Sequence, residues 1–194
     1  FSLMKEYIPL LAESGKQFLV LGNMNHITFK EIFHYFRENK MWLGYNAGHF
    51  WFKVPDYYEA KNTDYKQDED GQKWRRLGNI CWFTNMDIDI RHQFLDLYKH
   101  FSIQEYPEYD NYDAYFVKTV ADIPCDTDKP LAVPITFLSS FSPDQFELLD
   151  ANQFRKNDEV HVKSHGLIKD KDGTIKGKAT YARLLVRNRN PEKE

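Results

Sequence analysis

Lys73-Trp74-Arg75-Arg76 sets one indole among three cations. Ammonium and guanidinium groups at that spacing can hold phosphate oxygens while the indole stacks on a base or a sugar. The same four residues read equally well as a solvated loop with Trp74 tucked into the core. Lys53, in Phe50-Trp51-Phe52-Lys53-Val54-Pro55, adds a cation to this stretch, and Arg183, Arg187 and Arg189 add to a basic face. Asn23 and Asn25 follow the apolar run Phe18-Leu19-Val20-Leu21 and Gly22. Ligands of α/β sheets bind beyond the carboxyl ends of strands, so these two asparagines are expected at a site rim.

Other chemistries have little support. There is no G-x-S-x-G elbow, and neither Cys81 nor Cys125 is placed as an activated thiol. His161 and His165 are four apart, which puts two imidazoles on one face only in a helix, and their surroundings favour a strand or hairpin. Asp68-Glu69-Asp70-Gly71 lacks the ligand spacing and closing Glu of a calcium loop and reads as a solvated turn. No metal is expected.

The 194 residues can bury a sizeable core, and 42% hydrophobic with 16% aromatic content is that of a globular chain. A net charge of −3 argues against a simple polycationic nucleic-acid binder but leaves room for a local basic face. Two cysteines cannot alone build a structural zinc site, and Cys81, inside an apolar run, reads as a buried thiol. A reducing cytoplasm fits this usage better than secretion. No apolar run approaches the roughly 18 residues of a membrane span. The start, an apolar helix opening on Phe1 without Met, looks cut from something longer.

These residues need elements to place them. Leu3, Tyr7, Leu10 and Leu11 fall on one helical face, and Gly15 sits where a helix ends. Residues 18–21 read as a strand buried on both faces of a parallel sheet. Thr28-Phe29-Lys30-Glu31 has the form of a capping box, followed by the stripe Phe29, Ile32, Phe33, Phe36 and a helix end near Asn39. Residues 41–45 and 80–83 read as neighbouring strands, with the loop 46–77 projecting from one end of the sheet; within it 50–55 reads as a strand and 56–72 as a polar surface excursion. Ile90, Phe94, Leu97 and Phe101 predict a helix over 89–101. Short strands are expected at 114–117 and 133–137, a short helix from Ser142, and a linker at 150–158. A hairpin is expected around Asp172-Gly173, between 160–168 and 174–178, with a last strand at 181–187. The alternation of helix and strand is that of a doubly wound α/β sheet.

Several long words occur here in one order. They are Gly22-Asn23-Met24-Asn25 before Thr28-Phe29-Lys30-Glu31-Ile32-Phe33, Trp42-Leu43-Gly44-Tyr45-Asn46, and Gly71-Gln72-Lys73-Trp74-Arg75-Arg76-Leu77-Gly78-Asn79-Ile80-Cys81-Trp82-Phe83-Thr84-Asn85. Tyr106-Pro107-Glu108-Tyr109-Asp110-Asn111-Tyr112-Asp113-Ala114 and Val133-Pro134-Ile135-Thr136-Phe137 follow. With them the chain resembles the EcoRI family of adenine-specific DNA methyltransferases, from Phe1 to about Leu149 and again in the final strand.

The resemblance implies a class I, Rossmann-like methyltransferase fold: part of a doubly wound sheet with helices on both faces, plus an irregular, β-rich C-terminal extension. It implies two parts, 1–149 as the C-terminal portion of the methyltransferase domain with a DNA-contacting loop at 46–77, and 150–194 as a hairpin, a last strand and a charged tail. It implies S-adenosylmethionine as donor, double-stranded DNA as partner, and base flipping before transfer to adenine N6. Such enzymes carry an Asn/Asp-Pro-Pro-aromatic motif, and Phe1 matches its aromatic position, which stacks on the flipped adenine. The rest of that motif and the cofactor loop would lie upstream, so the chain alone is expected to be inactive. No metal or membrane is implied; the oligomeric state is left open, and a monomer is compatible with it. Lys53, Lys73, Trp74, Arg75 and Arg76 are the expected DNA contacts on charge and loop position. A non-catalytic DNA-binding remnant is the alternative reading.

Overall fold

The computed structural model describes residues 3–45, 47–59, 64–109, 113–151, 168–169, 175–176 and 183–192. Helix α1 (Met4–Glu13) opens it, ending where the Ser14 hydroxyl donates to the Leu11 carbonyl at 2.7 Å and Gly15 takes φ +68°. Its buried stripe is Met4, Ile8, Leu11 and Ala12. Of the expected stripe only Leu11 packs inward; Leu3, Tyr7 and Leu10 face outward, 69%, 49% and 68% exposed. Two apolar stripes compete on this helix, and the bond from the Tyr35 hydroxyl to Glu13 (2.8 Å) fixes its rotation against the next helix.

Strand β1 (Leu19–Asn23) leads through a 3-10 turn, Met24–Thr28, into α2 (Lys30–Arg37). Phe29 rather than Thr28 takes the N-cap position of α2, and the Thr28 hydroxyl donates to the Asn25 carbonyl at 2.8 Å. The expected stripe holds: Ile32, Phe33 and Phe36 are buried, joined by Tyr35, with Phe29 packed at the edge. Then come β2 (Trp42–Leu43), β3 (Gly48–Lys53), β4 (Tyr65–Gln67) and the twelve-residue β5 (Lys73–Thr84).

β1 and β2 both pair antiparallel to β5, on opposite edges, so they run parallel to each other with α2 crossing between them. β1, α2 and β2 thus form a parallel crossover, with antiparallel β5 lying between its two strands. The expectation that 18–21 lies in a parallel pairing fails for this reason, and Leu19 at the start of β1 is half exposed. The expectation that 41–45 and 80–83 are neighbours holds, through Leu43 opposite Phe83. Gly22 is a packing requirement: a Cβ there would lie 2.6 Å from the Phe83 ring and 2.8 Å from the Met4 methyl.

Residues 89–101 do not form the expected helix. A single 3-10 turn, Asp89–His92, gives way to extended chain. Its backbone groups are taken by distant side chains. The buried Gln145 carboxamide accepts from Leu95 N–H (2.7 Å) and donates to Leu95 C=O (2.8 Å), and Asp126 accepts from Phe101 N–H (2.7 Å). Amides paired this way have no need of the i−4 carbonyl.

A second sheet carries β6 (Tyr115–Phe116), β7 (Leu131–Pro134), β8 (Phe146–Ala151) and β11 (Arg183–Asn188) in the order β6-β7-β11-β8. β7 passes into a 3-10 turn, Ile135–Ser140, where strand was expected, and residues 142–145 form a turn that feeds β8 instead of a helix. The strand runs on to Ala151, fully buried, so the expected linker begins inside the sheet. β9 (Ile168–Lys169) pairs antiparallel with β10 (Ile175–Lys176), as the hairpin requires, while its Asp172-Gly173 turn lies outside the described residues. One core joins α1, α2 and both sheets. Among the described residues no helix is long and apolar enough to cross a membrane.

Candidate nucleic-acid interface

β5 belongs to two surroundings. Over residues 80–84 it is flanked by β1 and β2 and carries core side chains, Cys81 and Phe83 being fully buried. Over residues 73–77 it is flanked by β3 on one edge and β4 on the other. At about 3.3 Å per residue the strand spans roughly 40 Å, so its outer half leaves the core as a three-stranded arm. The change falls at an irregularity. Asn79 has φ +55°, the register shifts between Gly48 and Phe50, and the His49 ring lies 3.0 Å from where a Gly78 Cβ would be. Within the expected projecting loop at 46–77, the strand expected at 50–55 is found as β3, and β4 and the start of β5 are strands where a polar surface excursion or loop was expected.

Alternation sorts the arm's side chains. Directly opposed residues share a face, so Trp51 with Arg76, and Lys53 and Lys66 with Trp74, lie on one side. There the cations cover the rings: Lys66 Nζ is 4.6 Å from the Trp51 centroid and 5.7 Å from that of Trp74, Lys53 Nζ is 5.4 Å from Trp74, and the Arg76 guanidinium is 5.9 Å from Trp51. The Trp74 indole N–H donates to Asp68 at 2.9 Å, which holds that carboxyl below the usual aspartate range. Arg76 is tied to Asp64 through Nε (2.9 Å) and Nη2 (2.6 Å).

The opposite side carries Phe50, Phe52, Tyr65, Lys73 and Arg75, and the chain following β3 folds across it. The Lys73 ammonium donates to the carbonyls of Asp56 and Tyr58, Tyr58 stacks on Tyr65 (6.5 Å), and the Arg75 guanidinium lies 5.7 Å over the Tyr58 ring.

Of the five expected DNA contacts, Lys53, Trp74 and Arg76 therefore come together, and Lys73 and Arg75 lie behind them. The alternative of a Trp74 tucked into the core does not hold, because Trp74 is half-buried among the arm's own lysines. Sequence reasoning passed over Trp51 and Lys66. Only the structure marks Trp51, as one of the exposed residues that alternate with half-buried ones along β3.

Asn23 closes β1, and its carboxamide oxygen accepts the Asn25 N–H at 2.9 Å, starting the 3-10 turn. Asn23 and Gly48 flank Ile80 from opposite edges, so the carboxyl end of β1 and the root of the arm share one row. Asn25 is exposed at this end, and burial lowers the pKa of neighbouring His26. Phe1 lies outside the described residues.

Burial pushes the Cys81 thiol up to about 12 and raises that of Cys125, so neither is an activated nucleophile. His100, Cys125 and Asp126 bring three donor atoms within 4.8 Å, but Asp126 already accepts from Phe101 N–H and contacts His100 Nδ1 at 3.1 Å. A groove of about 270 Å³ beside β6, lined by Lys99, Glu105, Tyr106, Phe116, Lys118 and Asp122, lies near the lower limit of small-molecule sites.

Comparison with known proteins gives this arrangement a family. The model described as adenine-specific methyltransferase EcoRI matches residues 1–189. The type II methyltransferase M.EcoRI of Escherichia coli is 41% identical over 197 residues, covering 100% of this chain and 56% of that protein. M.MpnI of Mycoplasma pneumoniae is 36% identical, over 97% of this chain and 62% of its own length. M.MgeORF184P of Mycoplasma genitalium is 34% identical, over 96% and 62%. The chain thus spans little more than half the length of these relatives. No solved structure gives a significant match. With residues 1–189 matched by the family model and its whole length aligned to M.EcoRI, the chain belongs to the EcoRI adenine-specific methyltransferase family.

Proposed function

We propose that this chain is the DNA-gripping, C-terminal part of a site-specific methyltransferase that transfers the methyl group of S-adenosylmethionine to N6 of a flipped adenine in duplex DNA. The observation that carries the reading is the row Asn23–Ile80–Gly48, which sets an arm of interleaved tryptophans and cations at the carboxyl end of β1. The parallel β1–α2–β2 crossover supports a Rossmann-like, class I sheet, in which ligands sit at that end.

The groove beside β6 is small for a nucleoside-sized ligand and lacks a glycine-rich strand end. The S-adenosylmethionine site is proposed to lie mostly in the part of the methyltransferase outside this chain. What the chain supplies is binding and orientation. The purine amino nitrogen is conjugated into its ring and is a poor nucleophile, so the enzyme must hold it out of the stack and aim it. Phe1 is proposed as the wall on which the extruded adenine stacks, and Asn23 and Asn25 as the rim. Lys53, Trp74 and Arg76 are proposed as the arm's grip on the duplex, while Lys73 and Arg75, expected beside them, lie on the arm's opposite face. A cytoplasmic monomer is sufficient for this work.

The test is labelled S-adenosylmethionine with this chain, beside the same chain extended through its parent gene. The expected result is donor binding and methylation of duplex DNA by the extended protein alone. An extended protein that folds and binds DNA yet takes up no donor would replace the enzyme with a DNA-binding remnant.

A further inference from the structure

We infer that the arm meets duplex DNA with one face only, that of Lys53, Trp74, Lys66 and Trp51, and that Lys66 and Trp51 are DNA contacts in their own right. The inference rests on the DNA-methyltransferase reading and narrows it. Three observations carry it.

The first is that the other face is already covered. Lys73 is spent on the carbonyls of Asp56 and Tyr58, and Arg75 faces the Tyr58–Tyr65 stack. The second is valence. Arg76 is neutralised by Asp64, whereas Lys53 and Lys66 are exposed and lie within salt-bridge distance of no carboxylate among the described residues. Each ammonium carries three donors for phosphate oxygens. The two lysines flank Trp74 in one row, on strands about 10 Å apart, so both ammonium groups can reach phosphates of one duplex. The third is rigidity. The Trp74 ring is fixed by its bond to Asp68 and bracketed by both lysines, and Trp51, beneath Lys66, stays 37% exposed for contact with a sugar or an unstacked base.

The arm's shape decides how the duplex lies. Three strands with side chains are too broad for a major groove about 12 Å wide, which admits a two-stranded ribbon. The turn at the far end, Asp68-Glu69-Asp70, is acidic and repels phosphate. Both features exclude insertion of the tip and leave the face lying along the sugar–phosphate backbone.

Anisotropy of a labelled duplex with the 194-residue chain, over a series of salt concentrations, tests this. Lys53→Ala with Lys66→Ala should weaken binding and make the log–log salt slope shallower by about 2, one per lysine. Trp51→Ala should weaken binding about five-fold at every salt concentration and leave the slope unchanged, because stacking releases no counterions. Arg75→Ala should leave both unchanged. A slope lowered by Arg75→Ala and untouched by the lysine pair would put DNA on the opposite face and overturn the inference. So would a chain that binds single strands but no duplex, or neither. Methylation by the extended protein separates the two levels. If it methylates DNA with an unchanged KM for DNA when Lys53 and Lys66 are replaced, the activity stands and the face is wrong. If it does not methylate, the activity falls and the salt series alone decides the face.

Discussion

The two halves of β5 are one strand with two reasons to exist. Its inner half, residues 80–84, is held by burial: Phe83 packs edge-on against Phe36 at 6.0 Å and fills the space that Gly22 leaves open. Its outer half, residues 73–77, has no core behind it and is held by ladder hydrogen bonds, cation–ring contacts and the Asp64–Arg76 pair. Burial of an aromatic is worth several kcal/mol, whereas an exposed ion pair or cation–π contact is worth about 1 kcal/mol or less. The inner half should therefore govern whether the chain folds, and the outer half whether it binds.

Substitutions can break that contrast. Phe83→Ala should cost about 3–5 kcal/mol in urea unfolding, since the ring is fully buried; a loss below 1 kcal/mol would mean that the sheet is not anchored there. Gly22→Ala adds one methyl 2.6 Å from the Phe83 ring and 2.8 Å from the Met4 methyl, and should cost about 1–3 kcal/mol through overpacking. Unchanged stability would show that the two neighbours yield freely.

Alkaline titration probes the interior differently. Tyr35, Tyr106 and Tyr109 have phenol pKa values pushed up to about 12, first by burial, and for Tyr35 next by its bond to Glu13. Each folded value lies above the unfolded value near 10. Their contribution to stability is therefore complete below pH 10 and lost as pH rises from 10 towards 12. Ultraviolet absorbance should show late-ionising phenols that move to the ordinary range in denaturant; a single transition near 10 in the folded protein would contradict their burial. The smallest effect belongs to the arm. Asp64→Ala removes the partner of Arg76 at a site more than a third exposed and should cost about 0–1 kcal/mol, with the thermal midpoint nearly unmoved.

Legibility in the sequence follows the same divide. The stripe of α2 and the adjacency of β2 to β5 were readable because local pattern and tertiary burial agree there. Residues 89–101 carried an equally good helical stripe, but Gln145 and Asp126, side chains far along the chain, take its amides. On α1 the pattern offered two apolar faces, and only packing against α2 and Gly22 selects Met4 and Ile8. In the arm, residue type pointed to cations around an indole, but loop and strand assignments give different faces. Only pairing with β3 and β4 separates Lys53 and Trp74 from Lys73 and Arg75 and brings in Trp51 and Lys66.

The most direct measurement is nucleoside analysis of duplex DNA after incubation with S-adenosylmethionine and the protein extended through its parent gene. The expected product is N6-methyldeoxyadenosine, abolished or sharply reduced by Phe1→Ala. A methylated cytosine, or unmodified DNA from a folded protein that binds both duplex and donor, would contradict the assignment.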